Sequence, residues 1–204
     1  MRVKICGITN LEDALLCCNL GADALGFVFY EKSKRYIDFS SAKDIIKKLP
    51  AFVLKVGVFV DNSLNEINEI SRSLGLNAVQ LHGEQNSEFV NQINLPVIKS
   101  FRINDEFDFS ILNKFQNCSF LLDTYSNDSF GGTGKKFKWD LIPAQIRNNI
   151  ILAGGISVEN VEYIFNNIKP QGVDLSSSVE KEPGKKDPDK LKEFFRVINN
   201  LRYS

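Results

Sequence analysis

Two ionisable residues stand directly behind short apolar runs. Cys6 closes Val3–Cys6 and is followed by Gly7 and by Thr9, a residue type that starts helices, while Asp123 closes the run Phe120-Leu121-Leu122. A free cysteine is by default a small buried hydrophobe. A thiol near a helix N-terminus, however, can have its pKa lowered from about 8.5 toward neutrality, which makes it a usable base. A carboxylate after three apolar residues is costly to desolvate without a partner or a purpose, although a turn or cap role is the plainer alternative.

Two further stretches have the composition of anion sites. Ala153-Gly154-Gly155 leads into a helix start near Ser157, and Asp174-Leu175-Ser176-Ser177-Ser178 follows another apolar run. Glycines let backbone approach a ligand, and helix-start amides with serine hydroxyls bind phosphate. One Gly-Gly pair alone is as well read as a tight turn, but two such loops at consecutive strand ends point to phosphate. Ser33-Lys34-Arg35-Tyr36 is either a solvated basic turn or a guanidinium fork for a carboxylate. His82, the only histidine, sits in Gln80-Leu81-His82-Gly83, where it either faces a ligand or is simply hydrogen-bonded. The long polar, glycine-rich stretch from Asp123 to Lys136 reads as a mobile lid, since structureless loops of that length are usually functional or disordered.

Something must carry these residues. Short apolar or β-branched runs recur at Val3–Cys6, Ala24–Phe29, Val53–Phe59, Ala78–Leu81, Pro96–Phe101, Phe120–Asp123, Ile150–Ala153 and Gly172–Leu175. Each is too short for a typical helix, and several are apolar almost throughout, the pattern of parallel strands covered on both faces. Helical patterns lie between them. Thr9/Glu12 and Ser63/Glu66 fit capping boxes, and Asp187-Pro188 fits an N-cap with a first-turn proline. Apolar stripes follow at Leu11, Ala14, Leu15, Cys18; at Val161, Ile164, Phe165, Ile168; and at Leu191, Phe194, Phe195, Ile198. Gly21, Gly75 and Gly172 each stand between a helical pattern and the next strand, as left-handed C-caps would. The fifth crossover, Arg102–Cys118, is polar and poorly periodic. Eight strands alternating with helices give either a closed parallel barrel or a doubly wound sheet; in a barrel, reacting groups occupy the carboxyl ends of the strands.

A length of 204 residues without a linker-like segment suits one domain with one core. Lys plus Arg and Asp plus Glu both number 25, so no long-range field favours nucleic acid or an anionic membrane, and any bound anion must be held locally. The start MRVKICGIT has no signal-peptide stretch and no segment approaches a membrane span, which suggests a cytoplasmic protein. Cys6, Cys17, Cys18 and Cys118 lack metal-site spacing and are expected as reduced thiols.

Taken together, Lys4–Thr9, Gly26–Phe29, Ser33–Tyr36, Gly57–Val60, Val79–Gly83, Leu122–Thr124, Gly131–Lys135, Ala153–Gly155 and Pro183–Asp187 resemble the phosphoribosylanthranilate isomerase family, in order from Val3 to the last helix. The resemblance implies a single (β/α)8 barrel of tryptophan biosynthesis that performs an Amadori rearrangement of N-(5-phosphoribosyl)anthranilate, its partner being a small phosphosugar, without metal or organic cofactor. It also implies Cys6 as general base, Asp123 as general acid, Arg35 as ligand of the anthranilate carboxylate, and phosphate held by Gly154, Gly155, Ser176 and Ser177, with His82 among the substrate-facing residues. Two departures are visible: Ser178 stands where the family commonly has glycine, and Lys138 where Phe-Asp-Trp is usual. The rival readings are the histidine-pathway isomerase, which resembles a two-aspartate design that Cys6 does not fit, and a non-catalytic phosphosugar-binding barrel.

Overall fold

The computed structural model describes residues 1–123 and 139–203. Eight parallel strands close into a barrel in sequence order: β1 (Arg2–Cys6), β2 (Ala24–Val28), β3 (Leu54–Phe59), β4 (Ala78–Leu81), β5 (Val97–Arg102), β6 (Cys118–Asp123), β7 (Ile150–Ala153) and β8 (Gly172–Leu175). Closure is made by β1 against β8, with Arg2 opposite Gly172 and Lys4 opposite Asp174. The apolar runs anticipate these strands to within two residues at either end, and closure rejects the doubly wound sheet.

Along each strand alternate residues point to opposite faces. Val3, Ile5, Leu25, Phe27, Val79, Leu81, Val173 and Leu175 belong to the large core shared with the helices, whereas Ala24, Val56, Ala78, Ile98, Leu121 and Ala153 cluster separately as the barrel filling. The near-continuous hydrophobicity of these strands arises because both faces are buried.

The helices are α1 (Leu11–Leu20), α2 (Phe39–Ile46), α3 (Leu64–Leu74), α4 (Ser87–Val90), α5 (Val158–Tyr163), which runs on through one wider π turn at Ile164–Ile168, and α6 (Pro188–Tyr203). The fifth crossover is only a 3-10 segment, Phe109–Lys114, as its weak periodicity implies. Ser63 and Glu66 form the expected capping box, and Asp187 Oδ1 accepts from the amides of Asp189 and Lys190. The first helix differs from expectation. Its cap is Asn10, accepting from Asp13 N at 2.8 Å, because the Thr9 hydroxyl is already spent on Gly184 O. Cys17 is the buried cysteine of α1, and Cys18 is only partly buried. Gly21 and Gly75 are left-handed C-caps, but Gly172 is not: Lys169 takes that conformation at φ 54°. Gly172 instead opens β8, where a β-carbon would come within 3.0 Å of Arg2 O. After β8 the chain adds a small antiparallel hairpin, β9 (Glu180–Glu182) and β10 (Lys185–Lys186), which the sequence did not suggest. The stretch read as a lid lies outside the described residues, apart from Asp123.

Asp23 ties the amino ends of the barrel together. It accepts from Val3 N at 2.7 Å, Arg2 Nη1 at 2.8 Å and Arg202 Nη2 at 2.5 Å. Burial raises its pKa, but these donors override it and hold the carboxyl below its ordinary 3.8. Such stabilisation is present above the unfolded pKa and lost as pH falls through the lower folded one. Asp23→Asn is therefore expected to cost about 2 kcal/mol in urea unfolding at pH 7, and less at a pH well below 3.8. An equal cost at both pH values would show that charge is not the reason.

Candidate active site

At the carboxyl ends of the strands lies a cavity of about 620 Å³, and all eight residues singled out from the sequence line it: Cys6, Arg35, His82, Asp123, Gly154, Gly155, Ser176 and Ser177. Cys6 ends β1 and Asp123 ends β6, three strands apart in the closed ring of eight. Both project inward by strand alternation, Cys6 two residues after Lys4 and Asp123 two after Leu121.

Cys6 is fixed through its backbone. Gly7 N and Ile8 N both donate to Gly26 O at 3.0 Å, and Lys186 Nζ donates to Cys6 O at 2.6 Å. The expectation that a helix start would lower its pKa is not met. Helix α1 begins at Leu11, beyond the reach of an effect confined to the first turn. Burial instead pushes the thiol up, partly countered by the ammonium of Lys4, while Asp174 pushes it up further and Lys186 down.

Beside it runs an ion pair that sequence reasoning did not single out. Lys4 Nζ contacts Asp174 Oδ1 at 2.9 Å and Oδ2 at 3.0 Å, with side-chain exposures of only 5% and 8%. Burial alone would discharge Lys4, but contact with both carboxylate oxygens holds it charged, above its ordinary pKa. The available signal was a charge at an inward position of each strand, between Val3 and Ile5 and between Val173 and Leu175.

Arg35 is oriented by another unforeseen group. Its Nε donates to Glu180 Oε1 at 2.9 Å and its Nη2 to Oε2 at 2.6 Å, and Glu180 also takes Lys186 Nζ at 2.9 Å. The hydrogen bonds that Arg35 donates to Glu180 raise the already high guanidinium pKa. The motif Pro183–Asp187 thus supplies a buried brace, since Lys186 is 1% exposed and reaches both Glu180 and strand β1.

His82 follows β4. Burial lowers its pKa, against the pull of the Asp123 and Asp174 carboxylates, so the ring is neutral at pH 7. Gln80, inward on β4 and 2% exposed, lies with Nε2 at 3.2 Å from His82 Nδ1, and its Oε1 is buried without a protein partner among the described residues. Arg102 also lines the cavity, at the end of β5 opposite Asp123 in register.

The two glycine- and serine-rich loops meet on one side. Gly154 and Gly155 take φ of 81° and 65°, a left-handed turn that glycine adopts without strain, and both line the cavity. Asn160 clamps this turn, accepting from Ser157 N at 2.9 Å and donating to Gly155 O at 2.7 Å. After β8, Ser176 Oγ is buried without a protein partner among the described residues, and Ser177 and Ser178 continue the lining. Among the described residues no three His, Cys, Asp or Glu side chains are grouped to hold a metal ion.

Comparison with known proteins points to one family. A family model described as N-(5'phosphoribosyl)anthranilate (PRA) isomerase matches residues 3–197. The chain is 45% identical to the N-(5'-phosphoribosyl)anthranilate isomerase of Pelobacter propionicus over 99% of its own length and 97% of that protein. It superposes on the crystal structure of phosphoribosyl anthranilate isomerase from Thermotoga maritima with a TM-score of 0.90 and 44% identity, covering 98% and 99% of the two chains. A second structure of such an enzyme, in complex with reduced 1-(o-carboxyphenylamino)-1-deoxyribulose 5-phosphate, gives a TM-score of 0.87 at 42% identity over 98% and 99%. With a family match over nearly its whole length and close relatives covered end to end, the chain belongs to the N-(5'-phosphoribosyl)anthranilate isomerase family.

Proposed function

We propose that this chain isomerises N-(5'-phosphoribosyl)anthranilate to 1-(2-carboxyphenylamino)-1-deoxyribulose 5-phosphate in tryptophan biosynthesis, with Cys6 as general base and Asp123 as general acid. The observation that carries the assignment of roles is the convergence on one cavity of a thiol, a carboxyl, an oriented guanidinium and a pair of anion-suited loops. Asp123, as general acid, gives a proton to the furanose ring oxygen as the C1′–O bond breaks and the lone pair of the anilino nitrogen forms a C1′=N bond, leaving an iminium ion whose C1′=N pair returns to nitrogen in the next step. Cys6, as thiolate, takes the C2′ proton; the released electron pair forms the C1′=C2′ bond of the enolamine, which tautomerises to the ketose. Each such proton transfer typically contributes about 10²–10⁴-fold. Neutral His82 and Gln80 Oε1, unpartnered among the described residues, are suited to hydrogen-bond the sugar rather than to carry charge.

Phosphate is assigned to Gly154, Gly155, Ser176 and Ser177. Inorganic phosphate is therefore expected to inhibit competitively and to shift the amide resonances of these four residues together; shifts confined to other regions would count against the assignment. Arg35 is assigned the anthranilate carboxylate. With Nε and Nη2 turned to Glu180, the guanidinium has its Nη1 side left for a second carboxylate. Arg35→Ala should raise KM by at least about tenfold, for a lost hydrogen bond to a charged group, with a smaller change in kcat. An unchanged KM would remove that role.

Action in the cytoplasm belongs to the same proposal; among the described residues no helix is long and apolar enough to cross a membrane. The direct test is turnover of phosphoribosylanthranilate by the purified chain. Turnover is expected, and its absence, or turnover only of the histidine-pathway aminoribonucleotide, would overturn the reading.

A further inference from the structure

Lys4 and Cys6 are two residues apart on β1 and so share the inward face, while Val3 and Ile5 point out to the helices. Opposite Cys6 on β2 stands Gly26. A β-carbon at Gly26 would lie 2.8 Å from Cys6 Sγ and 3.0 Å from Lys4 Nζ. Its absence lets sulfur and ammonium come within about 6 Å of each other, the range in which an opposite charge favours the ionised form. The ammonium is held by Asp174 on β8, at 2.9 and 3.0 Å from its two carboxylate oxygens. Lys4 is 4% exposed, so its charge is not dissipated into water. A buried cation placed only to satisfy Asp174 would not need a glycine next door to bring it against the thiol.

We propose that Lys4 is a positioning residue for the reaction: its ammonium is the counter-ion that lets Cys6 stand as a thiolate in the buried mouth of the barrel, with Asp174 limiting how much of that charge reaches the sulfur. The proposal rests on the reading of Cys6 as the base. The thiol first loses its proton to solvent. In turnover the C2′–H bond breaks and an S–H bond forms, the electron pair going into the enolamine; Lys4 keeps all its protons and turns back toward Asp174 as the sulfur becomes neutral. The other charged groups near Cys6 are engaged with partners of their own. Lys186 on β10 is directed at the Cys6 carbonyl oxygen and Glu180, Arg35 after β2 is held by Glu180, and His82 after β4 is neutral.

The test is the pH dependence of iodoacetamide alkylation of Cys6, in the full chain with Cys17, Cys18 and Cys118 replaced by Ala. Lys4→Met is expected to raise the alkylation midpoint by about one pH unit or more, and Asp174→Asn to lower it. Lys4→Arg should restore most of the loss. Should Lys4→Met fail to fold with Asp174 left unpaired, the double variant Lys4→Met/Asp174→Asn leaves no buried charge, and its midpoint should lie above that of Asp174→Asn alone. The alkaline shift should reappear in the pH profile of kcat, with KM little changed. An unmoved midpoint in both Lys4→Met variants, or an upward shift in Asp174→Asn, overturns the proposal. Alkylation needs no substrate, so an error in the assignment of Cys6 as base would show instead as retained activity in Cys6→Ser.

Discussion

Replacing Cys6 by serine is expected to lower kcat by more than about 10²-fold while KM changes little, because the loss falls on a proton transfer made only in the transition state. Serine keeps the size of the side chain and therefore the packing against Val28 and Val58 at the floor of the cavity. It removes the acidity. A hydroxyl is far less acidic than the thiol it replaces, so it supplies no anionic base near neutral pH. Steady-state kinetics with phosphoribosylanthranilate, with the melting temperature as a check on folding, measures this directly. Near-normal kcat in a folded variant would mean that another group removes the C2′ proton.

Asp123→Asn is the second substitution with a large expected effect, again more than about 10²-fold in kcat. The amide matches the carboxyl in shape but has no proton to transfer to the ring oxygen, so the furanose stays closed. Binding should separate from catalysis: a reduced, ring-open product analogue should bind the variant about as well as the parent, since no ring remains to be opened. Loss of that binding alongside activity would indicate that Asp123 orients the site, together with Arg102 beside it on β5, rather than donating a proton.

Much of this could be read from the chain itself. Eight short runs apolar on both faces, separated by capped amphipathic segments, specify strands that must alternate with helices, because neither kind of element can bury its apolar face alone. The stripe Leu191, Phe194, Phe195, Ile198 is buried as its spacing requires. Strand ends marked Cys6, His82, Asp123, Gly154 and Ser176 as candidates, and all of them reach one cavity, since parallel strands deliver their carboxyl ends to the same side. Where local signals misled, a tertiary contact won. Thr9 gave up its capping role to bond Gly184 in the hairpin, leaving Asn10 to cap, and Gly172 is required by the approach of Arg2 rather than by a helix end.

What only the tertiary structure decided is the company each site residue keeps. Periodicity assigns Lys4 to the inside of β1, but its partner Asp174 is 170 residues away and is met only because the barrel closes β1 on β8. Likewise Arg35 meets Glu180 across 145 residues, and Lys186 reaches the Cys6 carbonyl across 180, both through a hairpin with no strong pattern of its own. The direction of the Cys6 pKa shift follows the same rule. Sequence proximity to a helix start suggested a lowered pKa, but burial and the balance of Lys4 against Asp174 govern the thiol, because electrostatic interactions depend on distance through space and on exclusion of water, neither of which is written along the chain.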